Sequence, residues 1–300
     1  MNWGNLNPYN IQDIKNIISE IFDVSTDRIS NLSILKAGMT NRSFRFEIND
    51  EAFIMRVPGE GTSELISRQN EYDVYQVIKD ENICDDLRYI NSVNGYKITK
   101  FINDARNCDP YNIEDVQKCM SFLRNFHQKE LKVSHTFDMF EQIDFYESLR
   151  KGLPSIYKDY KDTKNNVIKL KSYIDAQNPK FVLTHIDAVP DNFLFTKEGI
   201  RLIDWEYAGM QDPHLDIAMF GIYSMYDKKQ MDDLINIYFT EGCPHNIRLK
   251  IYCYVAVAGL LWSNWCEYKH ILGVDFGEYS LNQYNYAKDY YRYFSEEVQQ

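Results

Sequence analysis

The sequence predicts an α+β protein in two lobes: a small N-terminal antiparallel sheet with one helix, then a larger, mainly helical C-terminal lobe. Three observations lead there. Alternating apolar residues, the mark of half-buried strands, dominate residues 43–102. Apolar residues at helical spacing dominate from residue 113 onward. Within that helical stretch, residues 181–184, 193–195 and 201–203 read as short strands and supply a hairpin.

The elements follow in order. Residues 10–22 carry Ile11, Ile14, Ile17, Ile18 and Ile21 at helical spacing. Residues 43–48 put Phe44, Phe46 and Ile48 on one strand face, and Asn49-Asp50 is a turn signal. Residues 52–57 form the returning strand, which Pro58-Gly59 ends. Residues 63–79 read as a helix with Leu65, Ile66, Tyr72, Val74, Tyr75 and Ile78 inward. Asn94-Gly95, between strands at 89–93 and 96–102, is a hairpin signal. Residues 113–129, 144–160 and 166–176 read as helices, as does nearly everything from Leu215 on.

Composition narrows the function classes. The 300 residues are 44% hydrophobic, enough for a buried core. The longest apolar run, 251–262, is too short to cross a bilayer, so no membrane insertion is expected. The polar N-terminus lacks a signal-peptide pattern, and the six dispersed cysteines contain no Cys-x-x-Cys pair, so a reduced, cytoplasmic chain is expected. The six histidines show no zinc spacing. A net charge of −11 repels nucleic acid and attracts a small cation.

The chemistry is concentrated in one stretch. His185-Ile-Asp-Ala-Val-Pro-Asp-Asn192 spaces Asp187 and Asn192 five apart in a loop between strands. Asp204 follows at the end of the next strand, in Ile203-Asp-Trp-Glu206. A hairpin brings these together. Asp187 can orient a hydroxyl and accept its proton, while Asn192 and Asp204 offer the hard oxygens that Mg²⁺ prefers. His185 reads as a brace for the loop. Upstream, Gly38 permits close backbone approach in a turn where Thr40 and Asn41 can donate to phosphate. Arg56 ends a strand as a phosphate-pairing cation, and Glu71 in the next helix is its partner.

These residues resemble the choline/ethanolamine kinases, within the wider aminoglycoside-phosphotransferase-like and protein-kinase-like fold. The stretches that carry the resemblance are Gly38-Met-Thr-Asn41, Met55-Arg-Val-Pro-Gly-Glu-Gly-Thr62, the Asp187 loop, Ile203-Asp-Trp-Glu-Tyr-Ala-Gly209 with Asp212-Pro-His-Leu-Asp216, and Leu261-Trp-Ser-Asn-Trp265. The resemblance is nearest to bacterial choline kinases. It implies a nucleotide-binding lobe at 1–102, a catalytic and substrate-binding lobe at 103–300, and phosphorylation of choline by ATP with Mg²⁺. Asp187 would be the base, Asn192 and Asp204 the metal ligands, and Thr99, Phe101 and Ile102 the hinge beside adenine. Glu206 would be a further site acid.

A trimethylammonium group has no N–H to donate and is best held by aromatic faces. Trp262 and Trp265 share a helix face, Tyr207 follows the metal strand, and Tyr223 and Tyr226 lie three apart on a later helix. Such spacing also suits ordinary core, and the residues alone leave both readings open. Ethanolamine, thiamine or an aminoglycoside as acceptor, a non-catalytic kinase-like binding protein, and a homodimer are compatible with the same residues.

Overall fold

The computed structural model describes residues 10–37, 41–59 and 65–298, so Gly38 and Thr40 of the expected phosphate turn lie outside the described residues. Helix α1 (Ile11–Phe22) starts at Asn10, whose side chain accepts the Gln12 N–H, and buries Ile14, Ile17 and Ile18. Strands β1 (Ile29–Ala37), β2 (Asn41–Ile48), β3 (Glu51–Pro58), β4 (Leu87–Ile90) and β5 (Lys97–Lys100) form an antiparallel sheet in the order β1-β2-β3-β5-β4. Phe46 faces Phe53 across β2 and β3, and their rings stack at 5.5 Å. With Phe44, Met55, Val57 and Ile98 they bury one sheet face against α1.

Helix α2 (Arg68–Ile78) is shorter than the 63–79 helix expected; Ser67 caps it by accepting the Asn70 N–H, which fixes its start. The expected hairpin at Asn94-Gly95 is wider than a two-residue turn. Asn91 Oδ1 accepts the N–H groups of Val93 and Asn94, and Gly95 adopts φ +72°, so the loop runs from Asn91 to Tyr96. A two-residue strand, β6 (Arg106–Asn107), follows.

The helices of the second part are α3 (Ile113–Gln128), α4 (Met139–Ser148) and α5 (Tyr160–Ala176). The single helix expected at 144–160 ends early: α4 stops at Ser148, residues 149–159 are not helical, and Lys151 and Gly152 turn the chain at positive φ before Pro154. Next come β7 (Val182–Thr184), β8 (Phe193–Thr196), β9 (Gly199–Leu202) and β10 (Gly209–Gln211). Strand β10 pairs with β7, and the other short sheet has the order β6-β8-β9. Helices α6 (His214–Tyr223), α7 (Lys228–Tyr238), α8 (His245–Ile271) and α9 (Glu278–Val298) complete the described chain.

Helix α8 is buried on nearly every side, which its near-continuous apolar composition requires. It packs on α4, α5, α6 and α9. Gly259 is the close approach to α9: a Cβ there would meet the Gln283 carbonyl at 2.6 Å.

The backbone groups into two units. The first holds the chain up to Arg106 together with Phe195–Glu206; the second holds Asn107–Leu194 and the chain from Tyr207 on.

Candidate active site

In the first unit, charges converge on the end of β3. Arg56, buried, forms an ion pair with the Glu71 carboxylate on α2 and places NH1 3.0 Å from Asp204 Oδ1 and 3.2 Å from Glu206 Oε2. Arg68 lies 3.7 Å from Glu206 and 3.9 Å from Glu71. Asn41, where β2 begins, donates from Nδ2 to Glu206 Oε2 at 2.8 Å. The structure therefore groups Glu206, the further site acid of the sequence reading, with Asn41 and Arg56.

The two buried glutamates diverge in charge preference. Burial works against ionising Glu71, but Arg56, Lys97 and Arg68 surround it and hold its carboxyl down at about 2. Burial together with the facing Asp204 and Glu71 carboxylates pushes Glu206 up to about 7, in spite of Arg56. Asp204 adopts φ +67°, a conformation that turns its carboxylate at the strand end. Thr99 is buried within β5. Phe101 donates its N–H to Ala52 O at 2.8 Å, and with Ile102 it lines a cavity of about 490 Å³ shared with Lys79, Asp85, Asp104 and Arg201.

In the second unit, the loop after β7 carries Asp187. Asp216, fully buried near the start of α6, receives the backbone N–H groups of His185 at 3.0 Å and Ile186 at 2.8 Å. His127 Nε2 lies 2.9 Å from the same carboxylate, and His127 Nδ1 lies 2.9 Å from Tyr238 Oη. Ile186 has φ +69°, a costly conformation for a β-branched residue. The Asp216 bonds hold it there and turn Asp187 outward from β7. Asn192 ends a one-turn 3₁₀ segment and donates from Nδ2 to Asp187 O at 2.9 Å and to Asp187 Oδ2 at 3.3 Å. Its amide nitrogen is thus committed to Asp187, which leaves the amide oxygen as an acceptor.

A series of aromatic rings leads to this loop. Centroid separations are 6.4 Å for Phe137–Tyr207, 5.6 Å for Tyr207–Trp262, 5.8 Å for Trp262–Trp265 and 5.0 Å for Trp265–Phe276. They continue at 6.2 Å for Phe276–Tyr279 and 6.1 Å for Tyr279–Tyr223. Tyr223 Oη lies 3.3 Å from Asp191 Oδ2. Burial, then the Asp191 and Asp187 charges, push the Tyr223 phenol up to about 12. Trp262 Nε1 points at Met219 Sδ, and the Lys269 ammonium sits 5.5 Å from the Trp265 ring. Tyr226 lies past the end of α6 and not on one helix with Tyr223 as expected; its ring packs on Tyr111 and Phe220 and its hydroxyl donates to Pro110 O.

Sequence reading named Asp216 only as part of a motif, left Tyr279 unchosen among Tyr279, Tyr284 and Tyr286 of the tail, and missed Phe276 as a member of the ring series. The buried aspartate after the Asp-Pro-His-Leu turn is a usable signal; the tyrosine-rich tail offers too many choices for one to stand out.

The family model for choline/ethanolamine kinase matches residues 32–253. The chain belongs to this family. Protein LicA of Haemophilus influenzae is 26% identical over 268 residues, covering 83% of this chain and 77% of that protein. The crystal structure of choline kinase LicA from Streptococcus pneumoniae is 28% identical with a TM-score of 0.81, over 94% of this chain and 98% of that one. A structure of LicA in complex with AMP matches with a TM-score of 0.78 at 28% identity, over 94% of this chain and 98% of that one. A thiamine kinase of Salmonella paratyphi B is 43% identical, but over 54 residues, 18% of this chain and 19% of that protein. The choline/ethanolamine kinase membership makes the chain a phosphotransferase with an alcohol acceptor on a kinase-like α+β fold.

Proposed function

We propose that this kinase transfers the terminal phosphoryl group of ATP to the hydroxyl of choline, in the cytoplasm. The observation that carries the acceptor is the ring series from Phe137 to Tyr223, which ends at the Asp187 loop. A quaternary ammonium ion gains from aromatic faces and asks for no hydrogen-bond acceptor. Asp187 orients the choline hydroxyl and accepts its proton as the new P–O bond forms. Arg56 provides a permanent charge and a planar fork for the nucleotide phosphates, and Thr99, Phe101 and Ile102 lie toward the adenine.

The donor set fits Mg²⁺. Asn192 presents an amide oxygen and Asp204 a half-exposed carboxylate, both hard ligands. Mg²⁺ in kinase sites is commonly held by one or two side chains together with substrate phosphates. When bound, Mg²⁺ neutralises charge on the phosphates.

Thiamine is the second reading, favoured by the local thiamine-kinase match. It too is a cationic alcohol that aromatic faces suit. A steady-state assay with ATP and Mg²⁺ across choline, ethanolamine and thiamine separates the readings. We expect the highest kcat/KM with choline, and a loss of about 10²–10⁴-fold for Asp187→Ala. Preference for another alcohol replaces the acceptor; full activity in Asp187→Ala removes the assigned base; turnover of none of the alcohols favours a binding protein.

A further inference from the structure

Arg56 and Lys97 stand directly opposite each other in the β3–β5 pairing. Like charges directly opposed across antiparallel strands repel, and here both residues are buried, Lys97 with 5% exposure. Neither charge is tolerable there alone. The structure resolves the conflict with one carboxylate from α2. Glu71 gives its two oxygens to the two cations: Oε2 to Arg56 and Oε1 to Lys97, the latter at 3.2 Å.

One turn further along α2, on the same face, Tyr75 completes the arrangement. Its oxygen accepts from Lys97 Nζ at 2.8 Å, and its hydroxyl donates to Asp85 Oδ1 at 2.8 Å. The Lys97 ammonium also lies 4.6 Å from the Tyr75 ring. A buried chain therefore runs Arg56–Glu71–Lys97–Tyr75–Asp85, and α2 is tied to the sheet by two cations on neighbouring strands.

We propose that Lys97 is a positioning residue for nucleotide phosphate: it fixes the Glu71 carboxylate, and Glu71 in turn aims the Arg56 guanidinium. This rests on the reading of Arg56 as the phosphate-binding cation. A lone Arg–Glu pair could rotate about the carboxylate. With the second oxygen held by Lys97, the carboxylate plane is fixed, and with it the Nη2 arm of the Arg56 fork, whose Nη1 arm meets Asp204 and Glu206. Lys97 acts through this geometry and touches no nucleotide itself.

The test is calorimetric binding of ATP and of adenosine to the full chain, beside the steady-state KM for ATP and for the alcohol. In Lys97→Met we expect ATP binding to weaken about 10-fold while adenosine binding holds, since adenosine lacks the phosphates that Arg56 meets. The KM for the alcohol should stay the same. Lys97→Arg should restore ATP binding to within about 3-fold, and Tyr75→Phe should weaken it about 2–5-fold. The Lys97→Met effect should vanish in an Arg56→Met background.

Equal weakening of ATP and adenosine would mean that Lys97 only supports the fold, and would overturn the proposal. So would unchanged ATP binding in Lys97→Met. If Lys97→Met does not fold, Tyr75→Phe carries the same comparison, with unchanged ATP affinity as the negative result. The wild type separates this from the acceptor reading. ATP binding without choline turnover overturns only the acceptor; no ATP binding overturns the role of Arg56 and Lys97 together.

Discussion

Asp216 does for the Asp187 loop what Glu71 does for Arg56: one buried carboxylate fixes the direction of a neighbour. Its oxygens take two consecutive backbone N–H groups and lie against His127. Those bonds hold Ile186 at positive φ, without which Asp187 would not turn out of the strand. In Asp216→Asn one oxygen becomes a donor that faces backbone N–H groups. We expect kcat to fall on the order of 10²-fold, because Asp187 is misplaced, with little change in the KM for ATP. An unchanged kcat in a folded Asp216→Asn protein would show that the loop holds its shape unaided. The position of Asp187 was legible from residue spacing alone. Its support was not, since Asp216 lies 31 positions from His185 and 30 from Ile186.

At the scale of elements, α8 does two tasks. Gly259 lets it approach α9 closely, and the Trp262–Trp265 face joins the ring series. Helical spacing made the shared face of the two tryptophans readable. It did not show that Phe276 and Tyr279 extend the series, because that depends on where the chain after Ile271 returns. Trp262→Ala should raise the KM for choline about 5–30-fold through lost cation–π contact and leave the KM for ATP near wild type. For ethanolamine, which donates N–H hydrogen bonds, the same substitution should matter less. Equal rises for both alcohols would place Trp262 in the core and not on the substrate. The early end of the expected 144–160 helix has a similar origin: helical periodicity continued through residues whose backbone Gly152 and Pro154 redirect.

For the molecule as a whole, the buried charge set around Asp212 makes stability depend on pH. Asp212 accepts from Lys250, from Tyr254 and from the backbone N–H of His214. Burial opposes its ionisation, but His214 and Lys250 hold its carboxyl well below the usual aspartate range. A depressed native pKa adds stability above the unfolded value of about 3.9, and that stability is lost as pH falls toward the native value. Glu71, held at about 2, acts with the same sign. Urea unfolding should therefore show a clear drop from pH 5 to pH 3, smaller in Asp212→Asn. Asp212→Ala at pH 7 should cost about 3–5 kcal/mol, because Lys250 is left buried without its counter-charge. A pH dependence identical to wild type in Asp212→Asn would assign the acid transition to other carboxylates.

What the sequence by itself determined is whatever short-range spacing encodes: the antiparallel strands before residue 102, most of the helices after 113, and the spacing of Asp187 and Asn192 within one loop. These follow from periods of two and 3.6 residues and from a loop eight residues long, all of which are local. Only the tertiary structure decided which charges meet. It set Lys97 opposite Arg56 through a strand register, put Glu71 between them, drew Glu206 to Asn41 and Arg56, and sent Tyr226 to Pro110 instead of the ring series. Such partnerships are fixed by chain crossings far apart in sequence, and each buried charge takes the partner that those crossings bring within reach.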